Sequence, residues 1–244
     1  MRYRLRARSP VTISANLLRG AFGKSLHALD LAAYERYFKP IAAAGPSGLR
    51  DSPRPFVLRA AHLEGASLGP GDEFEIGVNL FQMRDPPLEL FRRVVCAMLP
   101  VEFLGADEPL VTLSLKAAGP AERVRVEFVT PTELKGADRP DFAVLFARIR
   151  DRVSTLRALY GDGPLNIDFK AMGERAEQVR MTRCELQKVA GSGVRYPRGG
   201  FTGVAEYEGD LAEFVPYLEA AGYTGVGRQT VWGKGEIRCE ELRA

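Results

Sequence analysis

The sequence is poor in the residues that build metal centres and covalent frameworks. It has two histidines, His27 and His62, and three cysteines, Cys96, Cys184 and Cys239, in 244 residues. Two scattered histidines exclude a zinc site of the usual kind. An odd number of widely spaced cysteines, with no C-x-x-C pair, excludes a disulfide framework and fits a reducing, cytoplasmic setting. No run approaches the length of a membrane span. The charged start, Met1-Arg2-Tyr3-Arg4-Leu5-Arg6, lacks the apolar stretch of a signal peptide. A large excess of charge of one sign is also lacking. The net charge is +3, compatible with a nucleic-acid partner without establishing one. What remains is ordinary for a globular chain: 45% hydrophobic residues and a length that allows one large domain or two small ones.

Tryptophan occurs once, and its position is informative. Trp232 stands inside residues 225–235, where Gly225, Gly227, Gly233 and Gly235 form two G-x-G pairs with Arg228 and Lys234 among them. Glycine permits positive φ and close backbone approach. Successive N–H groups in such a loop form an anion site, and an indole offers a base a stacking surface. The alternative is a glycine-rich turn that joins a helix to the last strand. A dinucleotide site is disfavoured, because these glycines precede a strand instead of opening a helix.

Residues 1–8 alternate, with Tyr3, Leu5 and Ala7 on one face and Arg2, Arg4, Arg6 and Arg8 on the other. This predicts a half-buried strand whose arginine face is either solvated or in contact with RNA. Ser14 caps a predicted helix over 15–29 whose core face is Leu18, Phe22, Ser25, Leu26 and Leu29. Its other face gathers Gly20, Gly23, Lys24 and His27. Two interior glycines are costly, so they mark close packing or a ligand. A short helix with Tyr34 and Tyr37 follows over 31–44, then a loop over 45–54 and a strand at 56–59. His62 lies just past that strand. Strands are further predicted at 73–82 and 108–116, with a helix from Asp85 between them.

The best linker is residues 117–121, giving domains 1–117 and 122–244. The second half reads as a strand at 123–128, a helix with Phe142, Leu145, Phe146, Ile149, Val153 and Leu156 on one stripe, and strands at 176–190 and 201–208. Between those strands, residues 191–200 carry Arg195 and Arg198 beside Tyr196, either an exposed hairpin tip or an RNA contact. Asp210 and Glu213 suggest a capping box for a helix with Leu211, Phe214, Val215 and Leu218 inward and Gly222 at its C′ position. A last strand follows at 236–240. Each half is thus β-α-β-β-α-β, an α+β chain of tandem ferredoxin-like domains.

Tandem halves with a C-terminal helix, glycine loop and strand resemble the CRISPR-associated RAMP superfamily, and within it the pre-crRNA-processing endoribonucleases. The likeness rests on Leu18-Arg19-Gly20-Ala21-Phe22-Gly23, on Pro53-Arg54-Pro55-Phe56-Val57-Leu58, and on residues 199–203 through Gly235. It implies metal-independent cleavage of CRISPR repeat RNA, with no cofactor. In such cleavage the ribose 2′-OH attacks the adjacent phosphate and leaves a 2′,3′-cyclic phosphate. That chemistry needs a base, an acid and cations near the phosphorane. The resemblance makes His27 the candidate base or acid and Lys24 the charge stabiliser, with Tyr34 and Tyr37 as secondary candidates. It makes Arg19, Arg195, Arg198, Arg228, Trp232, Lys234 and the four loop glycines candidate RNA-binding residues. Two departures stand out. Relatives often carry His directly after the second glycine, where this chain has Lys24, and an apolar or aromatic residue where it has Lys234. The resemblance also allows a non-catalytic RNA-binding subunit of a CRISPR effector complex. A homodimer is left open by the sequence.

Overall fold

Alternation and helical periodicity translate directly into two antiparallel sheets, each covered on one face by helices. The computed structural model describes residues 1–40, 53–81, 85–190 and 198–242. The chain divides into two units, one of residues 1–111 with 231–233 and one of residues 112–230 with 234–244.

The first unit runs β1 (Arg2–Ala7), β2 (Val11–Thr12), α1 (Ala15–Leu29), α2 (Leu31–Ala33), a π-helical turn (Tyr34–Phe38), β3 (Phe56–Arg59), β4 (Ser67–Leu68), β5 (Glu73–Leu80), α3 (Leu88–Met98) and β6 (Val101–Asp107). Its main sheet has the order β3-β5-β1-β6, and β2 and β4 form a separate pair. Alternation works as expected: Tyr3, Leu5, Phe74, Ile76 and Val78 are buried against Leu18, Phe22 and Leu26 of α1 and Phe91, Val94 and Val95 of α3. Ser14 caps α1 by accepting from the Leu17 N–H at 3.1 Å.

One predicted strand is corrected. Residues 108–116 form no strand; the fourth strand is Val101–Asp107, which pairs with β1. Only one run can complete the edge of β1, and 101–107 follows α3 at once. The alternating apolar residues of 108–116 mislead, since Leu110 is 88% exposed and Leu115 packs against the second core.

The second unit runs β7 (Arg123–Thr132), α4 (Phe142–Tyr160), α5 (Phe169–Ala176), β8 (Arg180–Ala190), β9 (Arg198–Glu208), α6 (Val215–Thr224) and β10 (Ile237–Glu241). Its sheet order is β10-β7-β9-β8. Setting aside the β2–β4 pair and short helices, both sheets place the fourth strand beside the first, then the third, then the second. This is the ferredoxin-like arrangement twice over. The six stripe residues of α4 are all buried. Helix α5 was not predicted, although Asp168 caps it by accepting from the Lys170 and Ala171 N–H groups at 3.0 Å.

The last helix also needs correction. It starts at Val215, after a residue that makes no side-chain cap, and Glu213 instead pairs with Arg175. Gly222 lies inside the helix, and the C-terminal position belongs to Gly225 at φ +70°. The buried face continues through Ala220, Ala221 and Thr224, so packing extends the helix past a glycine.

Candidate RNA-cleavage site

In the first unit, α1 sets out the candidate cleavage residues. Lys24 and His27 are both exposed, on successive turns of one helix face. The two glycines of that face differ. Gly20 is exposed, and an added Cβ there would meet nothing within 4 Å. Gly23 is buried, and an added Cβ would lie 2.7 Å from the Phe38 ring. Gly23 therefore lets a ring approach the helix, whereas Gly20 leaves an open strip of backbone.

The π-helical turn after α2 supplies the partners. The imidazole of His27 meets the Tyr34 ring edge-on, with centroids 5.0 Å apart and planes at 81°. Tyr34 stacks on Phe38 at 5.0 Å and 16°. Lys39 holds its ammonium 5.2 Å from the Tyr34 centroid. Tyr37 points the other way: it is 4% exposed, meets Phe91 at 6.0 Å, and burial raises its pKa. Tyr34 and Tyr37 thus have different surroundings, one beside His27 and one in the core.

Trp232 belongs to this unit. Val231 is buried in its core, and the indole packs on Phe38 at 5.5 Å and Phe56 at 6.1 Å. The guanidinium carbons of Arg19 and Arg54 lie 5.4 and 5.6 Å from the Trp232 centroid, within cation–π range. Arg54 also donates from Nε to the Phe38 carbonyl at 2.6 Å and lies 5.0 Å from the Phe38 ring centroid. Phe38, Lys39 and Arg54 escaped the sequence reading. Arg54 lies in the 53–58 stretch that carries the family resemblance, and Phe38 lies four residues after Tyr34. Nothing in the sequence links either to residue 232.

In the second unit, amides of the glycine loop are fastened to backbone carbonyls of that unit. Gly225, Gly227, Gly233 and Gly235 all have positive φ, from 68° to 85°. The N–H of Gly225 donates to Ala221, that of Val226 to Gly235, that of Arg228 to Glu133 and that of Gly235 to Pro131, at 2.7–3.1 Å. An added Cβ at Gly235 would lie 1.9 Å from the Val226 carbonyl, and one at Gly227 would lie 2.4 Å from that of Glu133. Those two glycines serve close backbone approach within the protein. Four loop amides are already engaged by carbonyls. The Arg228 side chain is exposed and pairs with Glu133 at 3.0 Å; Lys234 is half-buried. Arg195 lies outside the described residues. Arg198 opens β9, where its backbone pairs with Ala190.

Ion pairs tie parts of both outer sheet faces. Arg6 pairs with Glu73 and Glu102 at 2.7 and 3.3 Å. On the second sheet Arg183 bridges Glu185 and Glu206 at 2.8 and 3.0 Å, and Arg180 pairs with Glu208 at 3.1 Å. Among the described residues no group of three or more His, Cys, Asp or Glu side chains could hold a metal ion. No helix among them is long and apolar enough to cross a membrane.

Two ferredoxin-like sheets in series end in a helix, a glycine loop and a strand. Residues 126–237, just under half of the chain, match the family model of the CRISPR-associated endoribonuclease Cas6. The matched stretch holds the loop, and the resemblance expected from the sequence holds. The fold of nearly the whole chain agrees. A Cas6 product complex aligns at TM-score 0.64 and 19% identity over 98% of both chains. Thermus thermophilus Cas6 aligns at 0.60 and 18%, over 98% of this chain and 96% of that one. A second Cas6 product complex aligns at 0.60 and 18%, over 98% and 99%. Among curated proteins, none matches the sequence.

Proposed function

We propose that this protein processes CRISPR repeat RNA as a metal-independent endoribonuclease, cutting by 2′-OH attack to leave a 2′,3′-cyclic phosphate and a mature guide RNA. The observation that carries the reading is the placement of His27. It is exposed on α1, one turn from Lys24 and edge-on to Tyr34. An exposed imidazole can exchange a proton with a ribose hydroxyl or a leaving oxygen near neutral pH. An ammonium on the same helix face stabilises charge developing on the phosphorane. Tyr34 orients the imidazole, and Tyr37, held in the core, has a packing role.

Arg19, Arg54 and Lys39 add cations to the unit that carries His27, for the RNA backbone. In the second unit Arg195, Arg198, Arg228 and Lys234 are candidate RNA contacts, with Arg228 exchanging Glu133 for a phosphate. The bound partner is the repeat RNA, and subunits of a CRISPR effector complex are further candidate partners. The three cysteines are free, which fits a cytoplasmic protein.

The test is cleavage of the cognate repeat RNA in EDTA with analysis of the product ends. Wild type is expected to give a cyclic phosphate. His27→Ala is expected to slow cleavage by about 10²–10⁴-fold with little change in affinity. Tight binding with no product from the wild-type protein would instead identify a non-catalytic RNA-binding subunit.

A further inference from the structure

The tip of the glycine loop is fixed by an aromatic row that ends at the candidate catalytic imidazole. Trp232 packs on Phe38, Phe38 stacks on Tyr34, and Tyr34 meets His27, with successive centroids 5.5, 5.0 and 5.0 Å apart. Phe38 and Trp232 are confined. Phe38 fits only because Gly23 has no side chain, and Arg54 holds its carbonyl at 2.6 Å. Trp232 is backed by Phe56, itself fully buried. Four loop amides donate to protein carbonyls, and an added Cβ at Gly233 would lie 3.1 Å from the Leu58 carbonyl. Two guanidiniums lie within 6 Å of the Trp232 ring. The indole is thus committed to protein groups where a base-stacking role would require a free face.

We propose that Trp232 is a positioning residue for cleavage, acting through Phe38 and Tyr34 on the orientation of His27. The inference rests on the reading of His27 as the proton-transfer group. Removing the indole leaves Phe38 without one of its walls, and a packed row relaxes into such a void. A tilt of the Tyr34 ring then misaims the imidazole. Misplacement of a catalytic group by about 1 Å costs about 10²-fold in rate. A role in uniform RNA binding would raise the dissociation constant and leave the saturated rate alone.

The experiment measures single-turnover cleavage at saturating protein, RNA affinity, and the ring resonances of His27 in the RNA-free protein. The variants are Trp232→Ala, Trp232→Phe and Phe38→Leu. Trp232→Ala is expected to lower the saturated rate about 10- to 100-fold, to change affinity less than about twofold, and to shift the His27 resonances. Trp232→Phe is expected to restore most of the rate, because a ring still faces Phe38. Phe38→Leu is expected to reproduce the rate loss by breaking the row at its centre, and it serves in place of Trp232→Ala should that variant not fold. A loss of affinity with an unchanged saturated rate would overturn the inference and make Trp232 an RNA contact. Unshifted His27 resonances in both disruptive variants would overturn it equally. Failure of the His27 assignment is read separately, as cleavage that survives His27→Ala; the resonance shifts still decide whether Trp232 sets the imidazole.

Discussion

The imidazole of His27 stands edge-on to the ring of Tyr34 at 5.0 Å, and the two come from different elements, α1 and the π-helical turn. An edge-to-face pair depends on ring shape and not on a hydroxyl. Tyr34→Phe is therefore expected to retain cleavage within about threefold, whereas Tyr34→Ala lowers it about 10- to 100-fold at saturating protein. Equal losses in the two variants would instead assign proton transfer to the phenol. Single-turnover assays decide.

The glycines of α1 predict opposite effects. Gly20 has open space and no positive φ, so Gly20→Ala should stabilise the protein by about 0.4–1 kcal/mol. Gly23→Ala places a methyl against the Phe38 ring and should destabilise it by about 1–3 kcal/mol through overpacking. Urea unfolding gives both values. If Gly20→Ala folds normally and weakens RNA binding, the exposed strip at Gly20 is where the RNA backbone approaches.

Backbone approach in the loop sets a third expectation. At Gly227 and Gly235 an alanine would clash with a carbonyl and carry a left-handed φ. Each change is expected to cost about 1–3 kcal/mol and to lower the thermal midpoint. Normal stability in both variants would mean that the loop relaxes without penalty.

These examples mark what was legible in the sequence. Period-two and helical patterns gave β1, α1, α3, α4 and the repeated topology, because burial of one face determines them. The demand for glycine at residues 225–235 was also legible, since left-handed positions need it. The partner of Trp232 was not. Phe38 and Trp232 are 194 positions apart, and no local propensity encodes such a contact. The strand at 101–107 was hidden for a related reason. Its residues are only partly buried, so alternation was weaker there than in the exposed run that follows.

Arg228 and Glu133 offer an electrostatic test. Their pair is more than half exposed on the arginine side and contributes little to stability. Glu133→Gln is expected to leave the thermal midpoint nearly unchanged while tightening RNA binding at low salt, because the guanidinium no longer has an acidic competitor. Arg228→Ala should reduce the slope of log affinity against log salt by about 0.7, the value for one phosphate contact on a single strand. Binding titrations across a salt series read both effects.

The cysteines give a pH prediction. Burial pushes the Cys239 thiol up to about 12 and raises Cys96 in the same direction. The folded protein keeps the Cys239 proton when the unfolded chain has lost it, so its contribution is intact below the unfolded value of 9.0 and declines as pH rises beyond it. Stability should therefore fall between about pH 9 and 10, before tyrosine ionises in the unfolded chain. Cys239→Ala is expected to flatten that decline, measured by denaturant midpoints at successive pH values.

Val231, Trp232 and Gly233 join a unit whose other hydrophobic core members lie within residues 1–106. On the ribosome that core stays unfinished until the chain has been made past residue 233. Nascent chains interrupted before that point lack the side chain that closes the row at Phe38. The candidate site nearest the N-terminus is thereby assembled among the last, and a prematurely released fragment lacks the indole that closes its aromatic row.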